Sequence, residues 1–312
     1  PPAVSPTHRI MRALAEHGVR AGVHVHRYTE DDLLSAFPQL VRMRRHLIEH
    51  MNVREISSGK VSLAWGFHVE ALLLWWRNAT QRYKIRTANS KPKNKTNSKS
   101  HTSYPYDFVW VVEDDVGVAG GSLPDLLDIY ARSHPDTDFL THDVKPMDAG
   151  WYWADVHTGD DFLTAVDNVR LTNREHVQRF SPKLLAVLDT LACAGVSSWS
   201  EMHVPSVAKC ARHGLSCEEF SRRNIGKVYS WDGRIHSEEE WRKIDEDAIS
   251  RALDEQRVDV FASVTAAEPE EAFTKTEFLE FYGGLDEWEK SKRASPEVVA
   301  ACQVKLYHAL KW

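Results

Sequence analysis

No run of about 18 apolar residues occurs in this 312-residue chain, which excludes a membrane-spanning helix. Broad positive charge is missing too. The formal net charge is −6, so the wide basic face that nucleic-acid binding needs is not available and no nucleic-acid partner is expected. Cysteine is scarce: Cys193, Cys210, Cys217 and Cys302 fit no CxxC-type metal spacing, though an even number allows one or two disulfides. There is no GxxxxGK[ST] loop, which argues against P-loop chemistry, and no internal repeat. An initiator Met is also lacking. The chain therefore reads as a fragment, and membrane association is expected only through an anchor outside it. What is present is the composition of a folded globule, 42% apolar and 27% charged, in a chain long enough for one large α/β domain.

The most informative stretch is Tyr106 to Gly117, YDFVWVVEDDVG. Its apolar run, Phe108 to Val112, reads as a strand buried on both faces and stops at three consecutive carboxylates, Glu113, Asp114 and Asp115. Three like charges at a strand end are costly unless a metal ion or cationic ligand offsets them. In open α/β sheets, ligands bind just outside the carboxyl ends of strands. Side chains alternate along a strand, so Glu113 and Asp115 share one side and Asp114 takes the other. A hard divalent cation, Mn²⁺ or Mg²⁺, with a phosphate-bearing substrate suits such a set. A solvated turn in which Asp114 or Asp115 caps backbone amides is the plainer alternative.

Around this stretch the pattern alternates between helix and strand. Residues 8–18 predict a helix, 21–28 a strand with His24, His26 and Arg27, 33–51 an amphipathic helix, and 63–78 an unusually apolar one. Residues 87–103 form a basic low-complexity loop, with six Lys or Arg and no acid between Lys84 and Lys99. A helix over 122–135, with Ser122 as N-cap, leads to a neighbouring strand at 138–140, a βαβ unit with parallel strands. Helices are predicted at 181–195 and from Pro205 to near Gly214, and residues 234–294 read as a helical subdomain or lid. The triplets Asn78-Ala79-Thr80 and Asn94-Lys95-Thr96 point to the secretory lumen, Golgi or ER.

VWVVEDDVG resembles the acidic DxD-type signature of nucleotide-sugar-dependent glycosyltransferases of the GT-A fold. The resemblance implies an α/β, GT-A-like (Rossmann-type) domain over 1–312, with a central mostly parallel sheet flanked by helices and a helical C-terminal insertion. It further implies that Asp115 ligates the metal and that Glu113 and Asp114 lie on the donor side, with Glu in the first position as a departure from the family pattern. SSWSEM (197–202) is similar to the segment where such enzymes place an acid beneath the acceptor, making Glu201 the general base of an inverting transfer. Ser198-x-x-Glu201 is equally a capping box, which would use the same Glu to satisfy backbone amides. His308, the last His in the chain, corresponds to the C-terminal His that completes many such metal sites, though a core histidine is the alternative. His26 and Arg27 fall where the family binds its nucleotide. Trp151, Trp153 and Asp155 fall on the acceptor side, where the rings could stack on a sugar or be core. The implied cofactor is Mn²⁺ or Mg²⁺, the donor a nucleotide sugar (a UDP-sugar foremost), and the acceptor a hydroxyl of a glycan, glycoprotein or lipid.

Two rivals share these acids. VWVVEDD and DFLTHDVKPMDAG mimic a phospho-receiver domain with Asp143 as acceptor, but Asp115 and Asp143 are too close in sequence for the usual intervening βα pair. A metal-dependent phosphohydrolase would want a DxDx[TV] nucleophile, and position 113 is Glu. The glycosyltransferase reading predicts that Asp115→Ala abolishes Mn²⁺-dependent nucleotide-sugar binding in calorimetry. Unchanged binding removes Asp115 from the site.

Overall fold

The computed structural model describes residues 26–50, 66–89, 104–221 apart from 105, 114–115, 121–122 and 152, then 224–225 and short pieces at 239–240, 242–244, 256–258, 272–274, 292–293 and 305–307. In chain order the elements are α1 (Glu30–Ala36), α2 (Leu40–His50), α3 (His68–Asn89), β1 (Val109–Val112), β2 (Gly117–Ala119), α4 (Leu123–Ser133), β3 (Phe139–Pro146), α5 (Asp160–Ala165), β4 (Leu171–Phe180), α6 (Pro182–Cys193), α7 (Ser200–Lys209), β5 (Cys217–Glu219), β6 (Gln256–Val258), β7 (Ala272–Thr274), β8 (Lys292–Arg293) and β9 (Lys305–Tyr307). The chain divides into two compact units, one of residues 1–114 and 137–219, the other of 115–136 and 220–312.

The first unit is α/β: a mixed four-stranded sheet, order β1-β4-β3-β5, with helices packed on it. A mostly parallel sheet was the expectation. Instead β4 runs antiparallel to both β1 and β3, and only β3 and β5 pair in parallel. The strands β1 and β3 thus have the common direction expected of them but are not neighbours, because β4 lies between them. Its segment LTNREHVQRF lacks the two-residue apolar alternation that marks a half-buried strand, so its sequence does not announce it. It is nonetheless buried at every position from Thr172 to Phe180 except Arg174. Conversely β1, expected to be buried on both faces, is fully buried only at Val109.

Helix boundaries follow local chemistry. Thr29 caps α1 through a capping box: the Asp32 amide donates to Thr29 Oγ1 at 3.2 Å and the Thr29 amide donates to Asp32 Oδ2 at 2.7 Å. Pro38 then splits the helix expected over 33–51 into α1 and α2. Ser181 caps α6, with Pro182 in its first turn. Against expectation, α7 starts at Ser200 and carries Pro205 inside it. The apolar helix begins at His68 and continues to Asn89, taking in the first three residues of the expected loop at 87–103. Leu33, Leu47, Phe67, Leu73, Phe139, Phe180, Leu184, Leu188 and Met202 meet in one core between these helices and the sheet.

In the second unit α4 buries Leu126 and Tyr130. The Tyr130 hydroxyl donates to Asn224 Oδ1 at 2.6 Å, and the Phe220 ring meets its ring edge-on at 4.9 Å. β2 pairs antiparallel with β9, and β7-β6-β8 form a three-stranded antiparallel sheet. Those three strands fall within 234–294, where a helical insertion was expected; residues 239–240 and 242–244 are helical. The helix expected at 8–18, and the expected strand as far as residue 25, lie outside the described residues. Residues 26–28 are not in a strand.

The start of α7 is fixed by a close approach. Trp199 is sandwiched between the Trp153 ring, stacked on it at 3.8 Å and 5°, and Gly66, where an added Cβ would lie 2.0 Å from the indole. Gly66→Ala should therefore cost about 1–3 kcal/mol of unfolding free energy in urea titrations. Gly150→Ala, with nothing within 4 Å of an added Cβ, should be near neutral. Equal stability of the two variants would contradict this packing.

Candidate functional site

The site grows from the polar residues of β4. Beyond the paired residues Val112 and Val177, the Glu113 amide donates to the His176 carbonyl at 2.9 Å, extending the antiparallel register by one pair. Residues facing each other across such a ladder project their side chains to the same side. Accordingly the Glu113 carboxylate Oε2 meets His176 Nδ1 at 2.6 Å.

Glu175, next on the strand, is 5% exposed. Its Oε1 accepts from the Ser200 hydroxyl at 3.2 Å and lies 3.5 Å from His68 Nδ1, at the start of α3. Its Oε2 is buried with no hydrogen-bond partner among the described residues. Burial, reinforced by the Glu113 charge, pushes the Glu175 carboxyl well above the usual carboxylate range, with Ser200 pulling it back.

Glu201 follows in the first turn of α7. The segment leading to it is zipped against residues 156–158: the Thr158 amide donates to the Ser197 carbonyl at 2.9 Å and the Trp199 amide to the Val156 carbonyl at 2.8 Å. The helix then runs along β4, with the Leu171 amide donating to Ser206 Oγ at 3.0 Å near its far end. Burial pushes the Glu201 carboxyl up to about 8. The Glu175 and Glu113 charges add to the rise, and Arg174 and His68 oppose it. The capping-box alternative does not hold. The N-cap is Trp199 with no side-chain cap, and the Ser198 hydroxyl donates to the Val156 carbonyl at 3.3 Å instead. Pro205, four residues after Glu201, has no N–H to offer the Glu201 carbonyl.

At the edge of this cluster Asp143 has φ +56, a strained left-handed conformation for a non-glycine, where β3 loses register with β4. Its Oδ2 is 3.3 Å from Arg174 Nε and 3.2 Å from Lys145 Nζ. Bulges of this kind gather beside functional sites.

The structure therefore brings together two of the residues singled out from sequence, Glu113 and Glu201, within one electrostatically coupled cluster. Trp153 joins them indirectly through Trp199. Trp151 packs partly buried against the core, and Asp155 is exposed. His26 and Arg27 are exposed, and His26 stacks on Tyr28 at 6.4 Å. Asp114, Asp115 and His308 lie outside the described residues. Among the described residues no group of three His, Cys, Asp or Glu could hold a metal. A carboxylate and an imidazole from Asp115 and His308 would be an apt donor pair for Mn²⁺.

Sequence reasoning missed His68, Glu175, His176 and Ser200. A signal for His68 was its position, with Glu70, at the head of a strongly apolar helix. Glu175 and His176 sit in a strand that polar residues disguise. Of the two glycosylation triplets, Asn78 lies inside α3 and the Thr80 hydroxyl is buried, so the first is not displayed on a loop. Cys193, Cys210 and Cys217 are free thiols. No protein-family model matches the chain, and no curated protein or solved structure matches it significantly.

The buried acids make stability depend on pH. Glu70, fully buried in the first turn of α3, is raised to about 7 by loss of water, with Ser197 opposing. Its folded pKa is above its unfolded value, so its favourable contribution is complete below pH 4.5 and lost as pH rises through about 7. Wild type should lose on the order of 3 kcal/mol from this group between pH 4.5 and 8. In denaturant titrations at the two pH values, Glu70→Gln should lower the wild-type loss by that amount and leave the share due to Glu175 and Glu201. An unchanged slope would contradict a buried Glu70.

Proposed function

We propose that the chain is a metal-dependent glycosyltransferase that moves a sugar from a nucleotide-diphosphate donor, foremost a UDP-sugar, to a hydroxyl of a glycan, glycoprotein or lipid, with inversion. The observation that carries this reading is that Glu201, free of any capping duty, shares a buried acid cluster with Glu113 at the head of the acidic triplet. Glu201 is the base that takes the acceptor proton as the hydroxyl oxygen attacks the anomeric carbon. An ordinary carboxylate is too weak a base for a sugar hydroxyl, and a carboxyl raised to about 8 is better matched. Trp153, stacked on the residue just before Ser200, offers an aromatic face to an acceptor sugar near that base.

Asp115 and His308 are the proposed metal ligands, a carboxylate and an imidazole being suitable donors for Mn²⁺. When bound, Mn²⁺ or Mg²⁺ neutralises the leaving diphosphate. Glu113 and Asp114 serve the donor side. The fold supports the reading at the level of an α/β unit with a mixed sheet; the GT-A-like architecture and a lumenal location in the Golgi or ER are part of the proposal.

Glu201→Gln separates the two roles. It should keep nucleotide-sugar affinity in Mn²⁺ by calorimetry while lowering transfer by at least about 100-fold, the usual size of a lost general base. Transfer that survives would make Glu201 a structural acid and the inverting mechanism untenable.

A further inference from the structure

Glu175 has no role in the reaction as described, yet it is the most enclosed acid of the cluster. It sits on the central strand, holds the Ser200 hydroxyl at 3.2 Å, lies 3.5 Å from His68, and leaves Oε2 buried without a partner among the described residues. Ser200 is the first residue of α7, a helix that starts without a side-chain cap, and Glu201 is the second. The acid thus anchors the turn that carries the base and sets a second carboxyl against it.

We propose that Glu175 is a positioning residue for Glu201: it fixes the first turn of α7 through Ser200 and places a like charge against the Glu201 carboxyl. With Glu175 bound to Ser200, the residue before Glu201, its charge holds the Glu201 proton more tightly than burial alone would. The remaining charges facing Glu201 are Arg174 on β4, His68 on α3 and Glu113 beyond β1. Arg174 is divided between Glu201 and Asp143, which limits what it can offset. The effect on function rests on the glycosyltransferase reading above; the pairing of the two acids does not.

Glu175→Gln keeps an acceptor for Ser200 and removes the charge, whereas Glu175→Asp keeps the charge and shortens the reach. In ¹³C-carboxyl NMR, with Glu201 assigned by its loss in Glu201→Gln, the Glu201 titration should move down by about one pH unit in Glu175→Gln and hold in Glu175→Asp. The acid limb of the transfer profile against pH should move with it, with UDP-sugars as probe. A Glu201 titration unmoved in Glu175→Gln overturns the inference, as does an equal shift in Glu175→Asp, which would mark loosening rather than charge. A shift without nucleotide-sugar turnover by wild type would keep the pairing and discard the reaction.

Discussion

Between Thr172 and Phe180 the chain takes hydroxyl, amide, carboxyl, imidazole and guanidinium groups out of water on a single strand. A buried polar group left without a partner costs about 1–3 kcal/mol, and a charge more. The first unit is arranged around that constraint. Asn173 donates to Thr141 Oγ1 at 2.5 Å, and fully buried Arg179 donates to the Thr137 carbonyl at 3.1 Å with its guanidinium over the Phe108 ring at 4.0 Å. Ser200 answers Glu175, and Glu113 answers His176. Strands β1 and β3 are where they are because β4 needs a neighbour on each side.

That dependence explains which parts of the molecule were legible in the sequence. Helices with caps and apolar stripes could be read directly, as at Ser181-Pro182 for α6. So could β1, whose valines end at acids. β4 could not, because its burial is driven by partners distant in sequence rather than by its own pattern: Thr137 and Thr141 at the head of β3, Ser200 at the start of α7 and Glu113 after β1. Missing β4 also meant missing the mixed sheet, since the remaining strands suggest a parallel one. Pro205 misled in the opposite way. It reads as a helix start, yet α7 accommodates it and begins five residues earlier, where the two tryptophans and Gly66 lock the turn.

Glu113 and Glu201 were visible as candidates because each stands where acids are unusual: after an apolar strand, and after a helix-closing Gly195 and a run of serines. Their relation was not visible. It depends on β4 lying beside β1 and on α7 running back along β4, which sequence spacing does not encode. His68 belongs to the same cluster from more than a hundred residues away, since the head of α3 meets the middle of β4.

The charges in this cluster are not equivalent, and their partners decide what each can do. Glu113 has an imidazole at 2.6 Å, so its carboxylate has a local hydrogen-bond partner. Outside the cluster, Glu70 has the Ser197 hydroxyl and the His68 ring to offset its burial and still holds its proton to about pH 7. Glu175 has only a hydroxyl and a more distant imidazole, and its free oxygen faces no cation among the described residues. A polar strand that merely had to be buried would be better served by neutral residues of the same shape, which often stabilise relative to buried charge. Keeping Glu175 beside the first turn of α7 therefore works against stability. Such a cost is expected where a site holds a carboxyl ready to accept a proton near neutral pH.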